Sequence, residues 1–315
     1  MRITCTACFV DYHENGNLIS QPPRPMKCLI PNFYKSPSRS RVVNRLENKL
    51  LAADNSWWTS RYPLYTRVVA EVPCALYLNF LANKSLVASL SPRLFRPLGL
   101  PGNTNATLFT ILLFSLERAR PLWAPRMLGT LAPRFMLSNW RFYGHITGPR
   151  SNSRQGVLFV RTVTPSLLLS AFGRRLARCF PLQRAHRMTL ERSACRLAGA
   201  IDPGGGSAPE LVFEGEQIES PQVSAVFCQQ FPSFADYARW IIDQHLSLVI
   251  WPREYVVQDM HLDFQEAKII PLRCLRCRLA GLKDYIPDGT TLPMDCFAVE
   301  GLKVFLDKIC AARKE

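Results

Sequence analysis

The run Leu108-Phe109-Thr110-Ile111-Leu112-Leu113-Phe114-Ser115-Leu116 constrains the fold more than any other part of the chain. It is far short of the ~18–20 apolar residues a membrane-crossing helix needs. Read as a strand, it turns Phe109, Ile111 and Leu113 to one side and Leu112, Phe114 and Leu116 to the other. Both sides are apolar, so the strand must be covered on both faces.

Its neighbours extend the pattern. From Asn139 to Ile146, Asn139, Arg141, Tyr143 and His145 point one way and Trp140, Phe142, Gly144 and Ile146 the other. Val157 to Thr162 reads as the next strand, with Ser151-Asn152-Ser153 and Gly156 as the turn. Thr164-Pro165 then has the form of a helix start, Thr capping and Pro in the first turn. The predicted helix runs to about Phe180, with Leu168, Phe172, Leu176 and Phe180 as its apolar stripe, and Pro181 stops it. Further strands are expected at Leu76 to Phe80, Arg187 to Ala200, Glu210 to Phe213, Lys268 to Leu279 and the C-terminus. Ser233-x-x-Asp236 resembles a capping box and opens a second helix, Phe234 to about Ile250. Many strands with two well-marked helices predict an α+β fold.

Residues 1–60 differ in composition. Pro22, Pro23, Pro25, Pro31 and Pro37 interrupt them, and residues 35–41 are polar and basic, so they read as a partly ordered basic extension. A short helix from about Ser40 to Ala53 is predicted there. Residues 61–315 form the main domain.

Charge is unevenly spread. Residues 1–200 hold 28 of the 39 basic side chains and 7 of the 24 acids, while the remainder is net acidic. Between Arg118 and Arg196 stand fifteen arginines, no lysine and one further acid beyond Glu117, Glu191. A contiguous basic face would suit phosphate or nucleic acid. Internal neutralisation by the acidic half is the simpler expectation.

Eleven scattered cysteines do not form a disulfide framework and point to a reducing compartment, the cytoplasm by default. The N-terminus lacks the apolar core of a secretory signal. Cys5/Cys8 and Cys274/Cys277 have the spacing of zinc ligands. Residues three apart on a strand face opposite ways, however, and no glycine near Cys274 supplies a knuckle, so no metal is expected. Asp202-Pro203-Gly204-Gly205-Gly206-Ser207 lacks the Gly-Lys-Ser/Thr ending of a phosphate loop and reads as a turn. No Gly-x-Ser-x-Gly elbow occurs.

Four segments carry a family resemblance: Ala75-Leu76-Tyr77-Leu78-Asn79-Phe80, Leu116-Glu117-Arg118-Ala119-Arg120-Pro121, Asn139-Trp140-Arg141-Phe142-Tyr143-Gly144 and Phe180-Pro181-Leu182-x-Arg184-Ala185-x-x-Met188. Over about residues 70–312 the chain resembles the YqjF-like family of bacterial proteins within the acetoacetate decarboxylase-like superfamily. That resemblance implies a bent, mostly antiparallel sheet closing into a cone-like barrel around a pocket, with a few flanking helices. Acetoacetate decarboxylases use a Gly-Tyr-Pro-Lys-Lys motif in which a lysine forms a Schiff base. The similar place here reads Phe180-Pro181-Leu182-Gln183-Arg184, and no lysine occurs between Lys84 and Lys268. Arginine stays protonated and glutamine has no amine, so Schiff-base decarboxylation is not expected.

Three functions compete. The first is binding of a small anionic or carbonyl-bearing ligand in a barrel pocket, with Arg141, Tyr143, Arg184, Glu117 and His186 as ligand-binding residues and no cofactor. The second is an enzyme using His186 or Glu117 as general acid/base. The third is a nucleic-acid or anionic-surface binder using the Arg-rich block. The chain offers no membrane span, and a homo-oligomer is compatible with it.

Overall fold

The computed structural model describes residues 34–52, 67–100, 103–147, 153–170, 182–219, 221, 227, 230–244, 246–250, 254–280 and 292–313. One sheet holds β1 (Val68–Asn83), β2 (Phe95–Pro97), β3 (Ala106–Pro121), β4 (Phe135–Thr147), β5 (Ser153–Thr164), β6 (Leu182–Arg184) and β7 (Arg187–Arg192). It continues with β8 (Arg196–Asp202), β9 (Glu210–Gln217), β10 (Leu246–Ile250), β11 (Glu254–Asp263), β12 (Lys268–Ala280) and β13 (Asp295–Arg313). Helices α1 (Arg41–Ala52), α2 (Lys84–Leu90), α3 (Arg126–Thr130) and α4 (Phe234–Ile242) accompany it. The sheet is mostly antiparallel with few helices, in keeping with the α+β fold the patterning predicts and the antiparallel sheet the resemblance implies. The described exceptions are the parallel pairings of β5 with β10 and with β6.

The strand order is β1-β3-β4-β5-β10-β11-β13-β12-β9-β8-β7. Because β13 also pairs with β1, from Val68↔Leu306 to Asn79↔Asp295, the first seven strands return on themselves as a ring. Two apolar clusters lie on the two faces of these strands. One takes residues from every ring strand, among them Tyr77, Leu112, Tyr143, Phe159, Val249, Met260 and Phe297, together with Tyr237, Ala238, Ile241 and Ile242 of α4. The other, on the opposite face, holds Leu78, Phe109, Trp140 and Leu158 and is covered by Leu197, Phe213, Ile270 and Leu272 of β8, β9 and β12. Close approach of that cover depends on Gly199, where a Cβ would stand 2.7 Å from Leu113 Cδ2. Phe109, Ile111 and Leu113 fall in one cluster and Leu112 and Phe114 in the other, so β3 is buried on both faces as its composition requires.

Several predicted elements change under tertiary pairing. The strand expected over Arg187 to Ala200 is a hairpin, β7 and β8, turned where the Ser193 N–H donates to Arg196 O at 2.9 Å. The second helix keeps its predicted cap: the Ser233 hydroxyl accepts from the Asp236 N–H and donates to its carboxylate. It ends at Ile242 rather than near Ile250, and Leu246–Ile250 instead pairs with β5 and β11. A five-residue apolar segment lies equally well in either element until a sheet edge recruits it. After β5, Ser166 rather than Thr164 accepts from the helix, through Leu169 N at 3.1 Å. The helical turn is described to Ser170; Phe172, Leu176, Phe180 and Pro181 lie outside the described residues, as does the Cys5/Cys8 pair.

In the N-terminal part, α1 closely matches its prediction, and residues 34–38 strap it to the domain. Lys35 O accepts from Ser207 N at 3.0 Å, and Lys35 N donates to the Ser207 hydroxyl at 3.1 Å. The glycine-rich turn therefore has an attachment role: a Cβ on Gly206 would stand 3.0 Å from Lys35 O.

Candidate functional site

Polar residues form a row across the ring. The ladder sets Asp295 of β13 beside Asn79 of β1, Asn79 beside Thr110 of β3, and Thr110 beside Arg141 of β4. Side chains directly abreast share a face and lie within contact range. The Asn79 amide donates to Asp295 Oδ1 at 2.6 Å, and the Thr110 hydroxyl donates to Asn79 Oδ1 at 2.6 Å. All of them are buried except Asp295, which keeps partial exposure. Each interrupts a run of apolar positions, so each costs stability unless its hydrogen bonds are made.

Helix α4 closes over this row. The Tyr237 hydroxyl donates to Asp295 Oδ2 at 2.6 Å. One turn on, Ile241 O accepts from the Tyr143 hydroxyl at 3.2 Å and from Arg141 Nη2 at 3.2 Å. Ile241 stands in the last turn, where free carbonyls give the helix end a partial negative charge. Arg141 also donates to the Tyr143 hydroxyl, from Nε at 3.1 Å and Nη2 at 2.9 Å. Its guanidinium carbon lies 5.3 Å from the Tyr143 ring centre and 5.8 Å from that of Tyr77. Trp240 stacks on Tyr143 at 5.8 Å. Arg141 is only 3% exposed, yet it forms no ion pair with any described carboxylate. Two residues along the same face of β4, Asn139 Oδ1 makes no hydrogen bond among the described residues, and neither does Thr162 Oγ1 abreast of it on β5.

Electrostatics follow from burial. Protein packed round the Asp295 carboxyl raises it to about 6, against the lowering effect of the Asn79 and Tyr237 hydrogen bonds. Burial likewise raises the Tyr143 hydroxyl, opposed by the nearby Arg141 charge, and lifts Tyr77 to about 12. Tyr237 rises well above its ordinary value, through burial first and the Asp295 carboxylate next. At neutral pH the row therefore presents neutral phenols, the Arg141 guanidinium and a carboxyl that is mostly ionised about one unit above its midpoint.

Of the five residues singled out from the sequence, Arg141 and Tyr143 come together here. Arg184 is abreast of Thr164, about 17 Å along β5 from the partner of Arg141. It is ion-paired to the buried Glu47 of α1, and its Nε donates to Pro165 O at 3.3 Å. Glu117 is about 23 Å along β3 from Thr110. It pairs with Arg134 at 3.1 Å, the ion pair its Arg-rich surroundings suggest. His186 is exposed in the turn before β7. Asn79, Thr110, Tyr237 and Asp295 escaped sequence reasoning; their only signal is polarity inside otherwise apolar strands or a helix face.

Several arginines of the block are ion-paired to acids. Arg118 pairs with Glu71, Arg154 with Asp259, Arg192 with Glu300 and Arg196 with Glu214. No helix among the described residues is long and apolar enough to cross a membrane.

Two solved structures share the architecture. Acetoacetate decarboxylase from Legionella pneumophila subsp. pneumophila str. Philadelphia 1 is 9% identical, with a TM-score of 0.53 over 79% of this chain and 88% of that one. An acetoacetate decarboxylase-like enzyme from Sphingomonas wittichii RW1 is 9% identical, with a TM-score of 0.51 over 80% of this chain and 94% of that one. At such identity the likeness establishes the fold and carries no chemistry. No protein-family model matches the chain, and no curated protein matches it in sequence.

Proposed function

We propose that this chain binds a small anionic or carbonyl-bearing ligand inside the strand ring, anchored by Arg141, and does no Schiff-base chemistry. The ring is then the cone-like barrel that YqjF-like kinship implies, in a cytoplasmic protein. One observation carries the proposal: a buried guanidinium whose described hydrogen-bond partners are neutral oxygens. A buried cation without a counter-charge is costly, and a ligand carboxylate or phosphate offsets that cost through the planar fork of arginine. Tyr143 orients the fork, and Asn139 and Thr162 add polar atoms on the same side. Arg184, held by Glu47, would exchange that carboxylate for a ligand's. No lysine stands between Lys84 and Lys268, which leaves β3, β4, β5, β10 and β11 without an amine.

A second possibility, proton transfer to such a ligand, is favoured by Asp295, whose midpoint near 6 suits a general acid or base. It takes the role first considered for His186 and Glu117, both of which lie away from the row.

Thermal shift with acetate, pyruvate and inorganic phosphate tests the binding. At least one of them should raise the melting temperature of the wild type and of Arg184→Ala. The rise should vanish in Arg141→Lys, because an ammonium cannot reproduce the bidentate fork. No rise with any of the three, or one that survives Arg141→Lys, would overturn the assignment. Borohydride with pyruvate should leave the mass of the protein unchanged.

A further inference from the structure

The strand β12 contains the Cys-x-x-Cys pair that a regular strand would split between two faces. It is not regular. Cys274 pairs with Gly215 and Arg276 with Glu214, so Leu275 is left over as a bulge. The bulge shifts the alternation by one residue: Leu272, Cys274, Cys277 and Leu279 turn toward the core, while Leu275 and Arg276 are exposed. Both thiols therefore lie on one face, half-buried and packed against the same apolar cluster. The expectation that they face opposite ways fails because a bulge needs no glycine.

Their surroundings separate them from the other described cysteines. Arg273 and Arg278 are ion-paired to Glu216 and Glu210, while the exposed Arg276 between the two thiols has no ion pair among the described residues. Cys296, across the ladder on β13, is buried and donates to Leu272 O at 3.3 Å. No third ligand gathers: among the described residues no group of three His, Cys, Asp or Glu side chains could hold a metal. The Cys277 thiol, by hydrogen bonding, holds Cys274 below its ordinary value, and the same bond with burial pushes Cys277 up. A half-buried thiol on the same strand face as a second thiol, with the exposed Arg276 between the two in sequence, is the arrangement of a cysteine with its resolving partner.

We propose that Cys274 and Cys277 form an oxidation-sensitive dithiol that responds to hydroperoxides. The Cys274 thiolate attacks one peroxide oxygen, the O–O bond breaks, and the departing hydroxide takes a proton to become water, leaving a sulfenic acid. Cys277 then loses its proton and attacks the Cys274 sulfur; the S–O bond breaks and a second water leaves. Two thiols are oxidised by two electrons to a disulfide, and one hydrogen peroxide is reduced to two waters. Three strand residues span about 10 Å, more than the ~4.4–6.8 Å between the Cα atoms of a disulfide. Closure therefore contracts the bulge and disturbs the pairing of β12 with β9 from Arg276↔Glu214 onward.

The full-length protein, treated with substoichiometric hydrogen peroxide and mapped by peptide mass spectrometry, tests this. The expected product is a Cys274–Cys277 disulfide in the wild type and a dimedone-trapped sulfenic acid at Cys274 in Cys277→Ser. Labelling at Cys274 should run about tenfold faster than at Cys195, the exposed lone cysteine that serves as internal reference. Equal or faster oxidation of Cys195 would overturn the proposal. So would wild-type protein in which Cys274 is over-oxidised while Cys277 stays a free thiol. Hydrogen exchange on the oxidised wild type should show faster exchange in β9 and the second half of β12, which Cys277→Ser should not.

Discussion

Replacing Asp295 by Asn should stabilise the protein, and more so at higher pH. Burial lifts the carboxyl from 3.8 to about 6, so the folded state holds its proton more tightly than the unfolded state. Between roughly pH 4 and 6 the unfolded chain has released that proton and the folded chain has not, so wild-type stability falls as pH rises through this window. About two pH units at ~1.4 kcal/mol each make the full cost about 3 kcal/mol, reached above pH 6. Asparagine imitates the neutral acid: its oxygen still accepts from Asn79, and its amide meets the Tyr237 oxygen in place of the carboxylate that Tyr237 now donates to. Urea unfolding of both proteins from pH 4 to pH 8 measures the difference. The variant should be about 2 to 3 kcal/mol more stable at pH 8, with the gap closing toward zero near pH 4. Taking the difference between two proteins cancels every other titrating group. A gap that does not change with pH, or a variant that loses stability as pH rises, would refute the reasoning and mean that the ionised carboxylate is the favoured form.

Gly144→Ala should destabilise by about 3 kcal/mol in chemical denaturation, because a Cβ there would stand 2.4 Å from Arg96 O on the paired strand β2, whose backbone cannot withdraw cheaply. Glu47→Gln should cost about 2 kcal/mol, since it leaves the largely buried Arg184 without its counter-charge, and limited proteolysis should then cut near α1 sooner than in wild type.

What could be read from the sequence was what depends on neighbours along the chain. The two-residue period of β3 and β4 set which side chains share a face, and Ser233 with Asp236 marked a helix start, because these patterns are local. Arg141 and Tyr143 share a face of β4 and touch, as the alternation of that strand predicts. Pairing across the chain decided the rest. Asn79 and Asp295 are 216 positions apart and meet only through the β1–β13 register, so no spacing announces them. Leu246–Ile250 became a strand because β5 and β11 offered it edges. The bulge at Leu275 arose from the match of β12 to β9, and it alone brought Cys274 and Cys277 to one face. Periodicity determines how a strand divides its side chains between two faces; which strand lies beside it, and in what register, is decided by hydrogen bonds between distant segments.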